Sequence, residues 1–160
     1  MNKKKIVNEL IDWLKAALAA LVVVLVVMQF FLIAKIDGRS MDPTLKDGQH
    51  VITARHFTKY ETGDIIAFDF VNPDGSEEFH VKRIIGVPGD KVSVVGKQVF
   101  VNDELVIEDG EVDYGTRSYR LTDSQYFTVG DNYDVSYDSR LHGPIEEDDI
   151  LGEVVIQLPF

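Results

Sequence analysis

The stretch Glu78-Phe79-His80-Val81-Lys82-Arg83-Ile84-Ile85-Gly86, residues 78–86, decides how the body of the chain folds. It is rich in β-branched and aromatic residues and reads as a strand. Side chains in a strand alternate between faces, so residues 80, 82 and 84 share one side while 79, 81, 83 and 85 share the other. One of the two adjacent cations, Lys82 or Arg83, must therefore point into whichever face is buried. Working outward, the same texture recurs at 49–55, 65–71, 91–95, 98–102, 126–129 and 151–158. Turn chemistry separates these runs, as in Lys46-Asp47-Gly48, Thr62-Gly63-Asp64, Asn72-Pro73-Asp74-Gly75, Val87-Pro88-Gly89-Asp90, Val95-Gly96-Lys97 and Asn102-Asp103-Glu104. No sustained 3.6-residue period appears in the body. The pattern predicts a mainly β fold, an antiparallel and partly closed barrel-like domain. Residues 108–124 are polar and irregular and read as a surface excursion.

The 160 residues suffice for one domain with an attachment. Residues 1–36 hold five lysines against Glu9 and Asp12, a net charge of +3; the other 124 residues carry a net charge of −14. An acidic body of that size repels phosphate, so no nucleic-acid partner is expected. The chain has no cysteine, which removes disulfides, thiolate metal sites and cysteine nucleophiles together.

Residues 16–34 form an uncharged run of 19 positions with Gln29 as its one strongly polar side chain. As a helix it spans roughly 28 Å, close to the hydrocarbon thickness of a bilayer. Lys15 and Lys35 bracket it, and Trp13 stands where an interfacial aromatic belongs. A cleaved leader would have a shorter apolar core and a small-residue exit, whereas Lys35-Ile36-Asp37 follows here. The run therefore reads as an uncleaved anchor. The positive-inside bias gives a cytoplasmic segment at 1–15, a transmembrane span at 16–34, and the body, 35–160, outside the cell membrane.

Three segments carry chemistry. Ser40 lies in Gly38-Arg39-Ser40-Met41-Asp42-Pro43-Thr44-Leu45, six residues past the span, so it stays within about 20 Å of the membrane face. Read alone, a serine between a glycine and a proline is more often a turn residue than a nucleophile. Lys82, if buried, loses hydration of its charged form and its pKa falls, unlike that of arginine. A drop to about 7–8 costs on the order of 3–5 kcal/mol and yields a neutral amine able to accept a serine proton. The alternative is a strand edge with two solvated cations. The third segment is Gly130-Asp131-Asn132-Tyr133-Asp134-Val135-Ser136-Tyr137-Asp138-Ser139-Arg140. It can stiffen itself through side-chain to backbone hydrogen bonds, and Asp138 can pair with Arg140. As a calcium loop it has alternating oxygens at Asn132, Asp134, Ser136 and Asp138, but Tyr137 replaces the turn glycine and no bidentate glutamate follows. No metal or cofactor is expected.

Together with the anchor, these motifs resemble those of the bacterial type I signal peptidases, membrane-bound serine endopeptidases that remove signal peptides from exported preproteins. The resemblance covers most of the chain, including Gly63-Asp64-Ile65-Ile66-Ala67-Phe68 and Lys82-Arg83-Ile84-Ile85-Gly86-Val87-Pro88-Gly89-Asp90. It implies Ser40 as nucleophile and Lys82 as general base. It implies Ser136 hydrogen-bonded to the lysine, and Asp138, Arg140 and Asp131 as supporting groups. The Ser40 backbone N–H would be one oxyanion donor. Part of the family places a serine where Gly38 stands, which leaves the second donor open. By motif offset, Ile36, Met41, Leu45 and Val81 would line shallow pockets for an Ala-x-Ala pattern. Implied partners are signal peptides, the bilayer and, transiently, the secretion translocon. The compact form is similar to the Gram-positive members. Other readings are a Ser/His mechanism using His50, His56, His80 or His142, a soluble self-cleaving Ser/Lys regulator, and an anchored non-enzymatic binding or assembly domain.

Overall fold

The structure, a computed structural model, describes residues 3–55, 59–72, 74–108 and 110–159. His56, Pro73 and Asp109, named above among the histidine, turn and excursion residues, lie outside them. The chain opens with α1, Lys3–Met28, whose Ile6–Met28 portion is long and apolar enough to cross a membrane. Its apolar side chains, Leu14, Leu18, Leu21 and Val23 among them, are exposed, so no part of the body covers them. The uncharged run does not remain helical to Ala34. Gln29 and Phe30 close the last turn on Val26 and Val27, and β1, Phe31–Lys35, follows at once. Hydropathy cannot separate an apolar edge strand from the end of an apolar helix. Pairing with β2, His50–Ala54, makes the difference, because it supplies the backbone partners that β1 needs.

The remaining strands are β3 Ile65–Val71, β4 Glu77–Gly86, β5 Lys91–Val95, β6 Gln98–Val101, β7 Glu104–Ile107, β8 Thr116–Arg120, β9 Gln125–Val129, β10 Ile145–Glu146 and β11 Ile150–Gln157. A single helical turn, α2, Ser139–His142, precedes β10. All strand pairs are antiparallel. They form a seven-stranded sheet, β1-β2-β11-β3-β4-β9-β10, and a four-stranded sheet, β7-β6-β5-β8. The body is thus mainly antiparallel β, as the alternation predicts, but both sheets stay open and no closed barrel forms. Asn102 and Asp103, at φ of 53° and 67°, make the tight turn between β6 and β7.

Residues 108–124 are not simply an excursion. Thr116–Arg120 pairs along β5, and Tyr114 and Leu121 are buried in a core cluster with Ile85, Val92, Val94, Phe127 and Val129. That strand shows five residues with little apolar patterning (Thr-Arg-Ser-Tyr-Arg), so only its non-local partner reveals it. A second cluster gathers Ile66, Phe68, Ile84 and Tyr126 on the Lys82 side of β4, and a third packs Ile36, Met41, Leu45, Val51, Ala67 and Val81 beneath the serine loop. These two clusters close both faces of β4 and so determine what its polar side chains meet.

Candidate active site

Lys82 sits opposite Ile66 in the β3–β4 ladder and is 4% exposed. The side chain is largely withdrawn from water, and burial pushes its pKa down from 10.5 to about 8, with Asp138 opposing the shift and Arg140 adding to it. Its Nζ donates to Ser40 Oγ at 2.8 Å. The two cations of the strand have separated as alternation requires. Arg83, on the other face, holds Asp131 with two bonds of 2.8 and 2.7 Å and donates to the Gly63 carbonyl. Thr44 donates to the same carboxylate. Burial alone would raise the Asp131 carboxyl, but the Arg83 and Thr44 bonds outweigh it and hold it below its ordinary value. Asp131 thus ties the serine loop, β4 and the loop after β9 together.

Ser40 lies in a turn that begins at Gly38, where φ is +87°. The Gly38 N–H is engaged by Asp47 Oδ1 at 2.9 Å, so this amide is not available to an oxyanion in this arrangement. The Ser40 carbonyl accepts from the Asn132 backbone N–H at 2.9 Å, and Asn132 Nδ2 donates to the Arg39 carbonyl at 3.1 Å. Gly130 makes this approach possible. A Cβ there would lie 2.4 Å from the Ser40 carbonyl oxygen and 2.3 Å from Ser136 Oγ.

Asp138 and Arg140 form a fully buried ion pair, Arg140 Nε and Nη2 each reaching the carboxylate at 2.9 and 2.8 Å. Asp138 also caps α2 and accepts from the Gly130 N–H, while Arg140 stacks over Tyr114 at 4.5 Å. These bonds offset the cost of burying the two charges, though Arg140 Nη1 has no hydrogen-bond partner among the described residues. Ser136 departs from expectation. Its Oγ is buried and makes no hydrogen bond among the described residues, so the bond to Lys82 implied by the resemblance is not formed here. The polar side chains that alternate along this loop turn to different partners: Asn132 donates its Nδ2 to the Arg39 carbonyl, Asp134 accepts from the Glu111 N–H, and Asp138 accepts from Arg140.

A groove of about 600 Å³ runs past the pair. Ile36, Met41 and Val81 line it with Ser40, Lys82, His80 and Tyr137. Leu45 does not. It is fully buried in the cluster below the serine loop, because the turn at Pro43 sends it inward, and it supports the floor rather than forming it. Among the described residues, no histidine is hydrogen-bonded to Ser40. His80 meets Glu78 at 3.3 Å, both ring nitrogens of His142 lack partners, and His50 is exposed at the start of β2. Burial pushes His142 down to about 4. Asn132 and Gly130 are the site residues that residue-by-residue reading missed; their signal was only their place in the 130–140 motif.

The arrangement offers a hydroxyl hydrogen-bonded to a buried amine at the bottom of an open groove, which suits nucleophilic attack on a bound carbonyl. In sequence, the chain is similar to known peptidases. A family profile described as signal peptidase, peptidase S26, matches residues 10–158. The signal peptidase IB of Staphylococcus aureus is 35% identical over 96% of this chain and 92% of its own. The signal peptidase I of Bacillus amyloliquefaciens is 33% identical over 83% of this chain and 78% of its own. A crystal structure of a signal peptidase I from Enterococcus faecalis aligns with a TM-score of 0.47 at 23% identity, covering 62% of this chain and all of that one.

Proposed function

Because the chain belongs to the signal peptidase family of S26 peptidases, we propose that Ser40 and Lys82 are the nucleophile and general base with which it cuts signal peptides from preproteins. It is a membrane-anchored protease, and its substrates are the signal peptides of preproteins. The 2.8 Å contact between Ser40 Oγ and the buried Lys82 amine carries the reading.

The mechanism follows from that contact. Ser40 Oγ attacks the scissile carbonyl carbon and its proton passes to the neutral Lys82 amine. The carbonyl oxygen becomes an oxyanion, for which the Ser40 backbone N–H is the donor at hand. Collapse breaks the C–N bond, and the ammonium of Lys82 returns its proton to the departing amine of the mature chain. Lys82, neutral again, takes a proton from water as the water oxygen attacks the ester carbon; collapse of this second intermediate breaks the C–Oγ bond, and the Lys82 ammonium returns the proton to Ser40 Oγ. Asp138, Arg140 and Ser136 shape the polar ground behind the amine. Asp131 holds the serine loop to β4.

Ile36, Met41 and Val81 leave little depth in the groove floor, which favours small side chains in an Ala-x-Ala pattern. The anchor is the N-terminal helix and the catalytic body is the remainder to residue 160. Lys3, Lys4, Lys5 and Lys15, in the N-terminal half of the helix, favour an orientation with the N-terminus in the cytoplasm and the body outside. Substrate delivery there implies transient contact with the translocon. The test is cleavage of a precursor with an Ala-x-Ala site by the full-length protein in liposomes. Ser40→Ala and Lys82→Arg should both be inactive yet folded, since arginine cannot become a neutral base. Cleavage retained by either variant removes that residue from its role.

A further inference from the structure

The carbonyl of Arg39 and the N–H of Ser40 belong to one trans peptide unit, so they point in opposite directions. Where the carbonyl is fixed, the direction of the N–H is fixed. The Arg39 carbonyl accepts two donors, the Asp42 N–H within the turn at 3.2 Å and Asn132 Nδ2 at 3.1 Å. The first lies within the same loop and moves with it. The second anchors the peptide plane to the loop after β9. The next peptide unit is held likewise, because the Asn132 backbone N–H binds the Ser40 carbonyl. Asn132 lines a neighbouring depression with Arg39, Asp42 and Asp131, not the groove that holds Ser40 and Lys82. The Ser40 N–H, opposite the carbonyl that Asn132 holds, points away from Asn132, and Ser40 itself lines the groove.

We propose that Asn132 is a positioning residue that aims the Ser40 backbone N–H at the oxygen of the tetrahedral intermediate. Its side-chain amide acts on the peptide plane, not on the substrate or the amine. This rests on the assignment of Ser40 as nucleophile. It also explains why the motif brings a carboxamide to this spot: a carboxylate would face a carbonyl oxygen with no proton to share.

The experiment uses the full-length protein in liposomes, with Asn132→Ala and Asn132→Asp beside wild type and Ser40→Ala. Both Asn132 variants should lose about 10- to 100-fold in kcat, with KM within about twofold. The midpoint of the pH–rate profile should stay where it is in wild type, since Lys82 is untouched. A peptide aldehyde adds Ser40 Oγ at its carbonyl carbon and places the resulting oxygen in the oxyanion position. Its affinity should fall in step with kcat, while a cleaved product peptide should bind as before. Wild-type kcat in both variants, or equal losses of aldehyde and product affinity, overturns the inference. So does a fall in thermal stability that accounts for the lost activity. Cleavage by Ser40→Ala would instead defeat the nucleophile assignment, which separates the two failures.

Discussion

Replacing Lys82 with methionine should abolish cleavage and yet make the protein more stable at neutral pH. Burial holds the amine at about 8 against the ordinary 10.5. At 1.36 kcal/mol per pH unit, keeping the ammonium inside at pH 7 costs about 3 kcal/mol. Methionine occupies a similar slender volume without charge. Against that gain stands the lost bond to Ser40, about 1 kcal/mol, because the half-buried hydroxyl can turn to water. The net expectation is about 2 kcal/mol in favour of the variant. The pH dependence fixes the sign. Below pH 8 the lysine is protonated in both folded and unfolded chains, and the whole penalty is present. Between about 8 and 10.5 the unfolded chain keeps a proton that the folded protein has released, so wild-type stability relative to the variant rises across that window. Above 10.5 only the hydrogen bond remains and lysine becomes the better residue by about 1 kcal/mol. Urea unfolding of both full-length proteins in detergent measures the difference. Near-UV circular dichroism of the body's tyrosines is the appropriate signal, since Trp13 lies on the N-terminal helix. A variant no more stable than wild type at pH 7, or a difference that stays constant from pH 7 to 10.5, would refute the claim that burial neutralises this amine.

For wild type, kcat/KM should rise about tenfold per pH unit below 8 and level off above about 9, as the free enzyme's amine loses its proton; a flat profile contradicts the dyad. Gly130→Ala puts a methyl 2.4 Å from the Ser40 carbonyl oxygen. It should cost about 1–3 kcal/mol of stability and about 100-fold in kcat by shifting the serine; a variant with normal kinetics would mean that the loop yields freely. Deleting residues 1–28 should leave a folded body, whereas deleting 1–34 strips most of β1 from its partner β2. The longer deletion should be the less stable in urea and the more readily proteolysed, and equal stability would mean that β1 contributes little.

Much of the body was legible because its strands carry their pattern locally. The 78–86 segment shows this best: alternation alone required Lys82 and Arg83 to part, and they meet a half-buried hydroxyl and a carboxylate on opposite faces. The Asp138–Arg140 pair was legible for a similar reason, being opposite charges two residues apart in one loop. What escaped depended on distant partners. Phe31–Lys35 is as greasy as the helix before it, and only His50–Ala54 turns it into a strand. Thr116–Arg120 looks like a loop until β5 is beside it. Leu45 matched a motif position for substrate contact, but the packing of Val51, Ala67 and Val81 encloses it. The Ser136 hydroxyl and the Asn132 amide depend on side-chain directions that no spacing encodes.

Only Gln29 and Phe30 separate the end of the N-terminal helix from strand β1, and the residue after that strand, Ile36, already lines the groove. Such a link has no slack. Eight residues from Met28 to Ile36 reach at most about 29 Å, and five of them are locked in a ladder. A link this short works as a tether: wherever the end of the helix comes to rest, the groove cannot stand far from it.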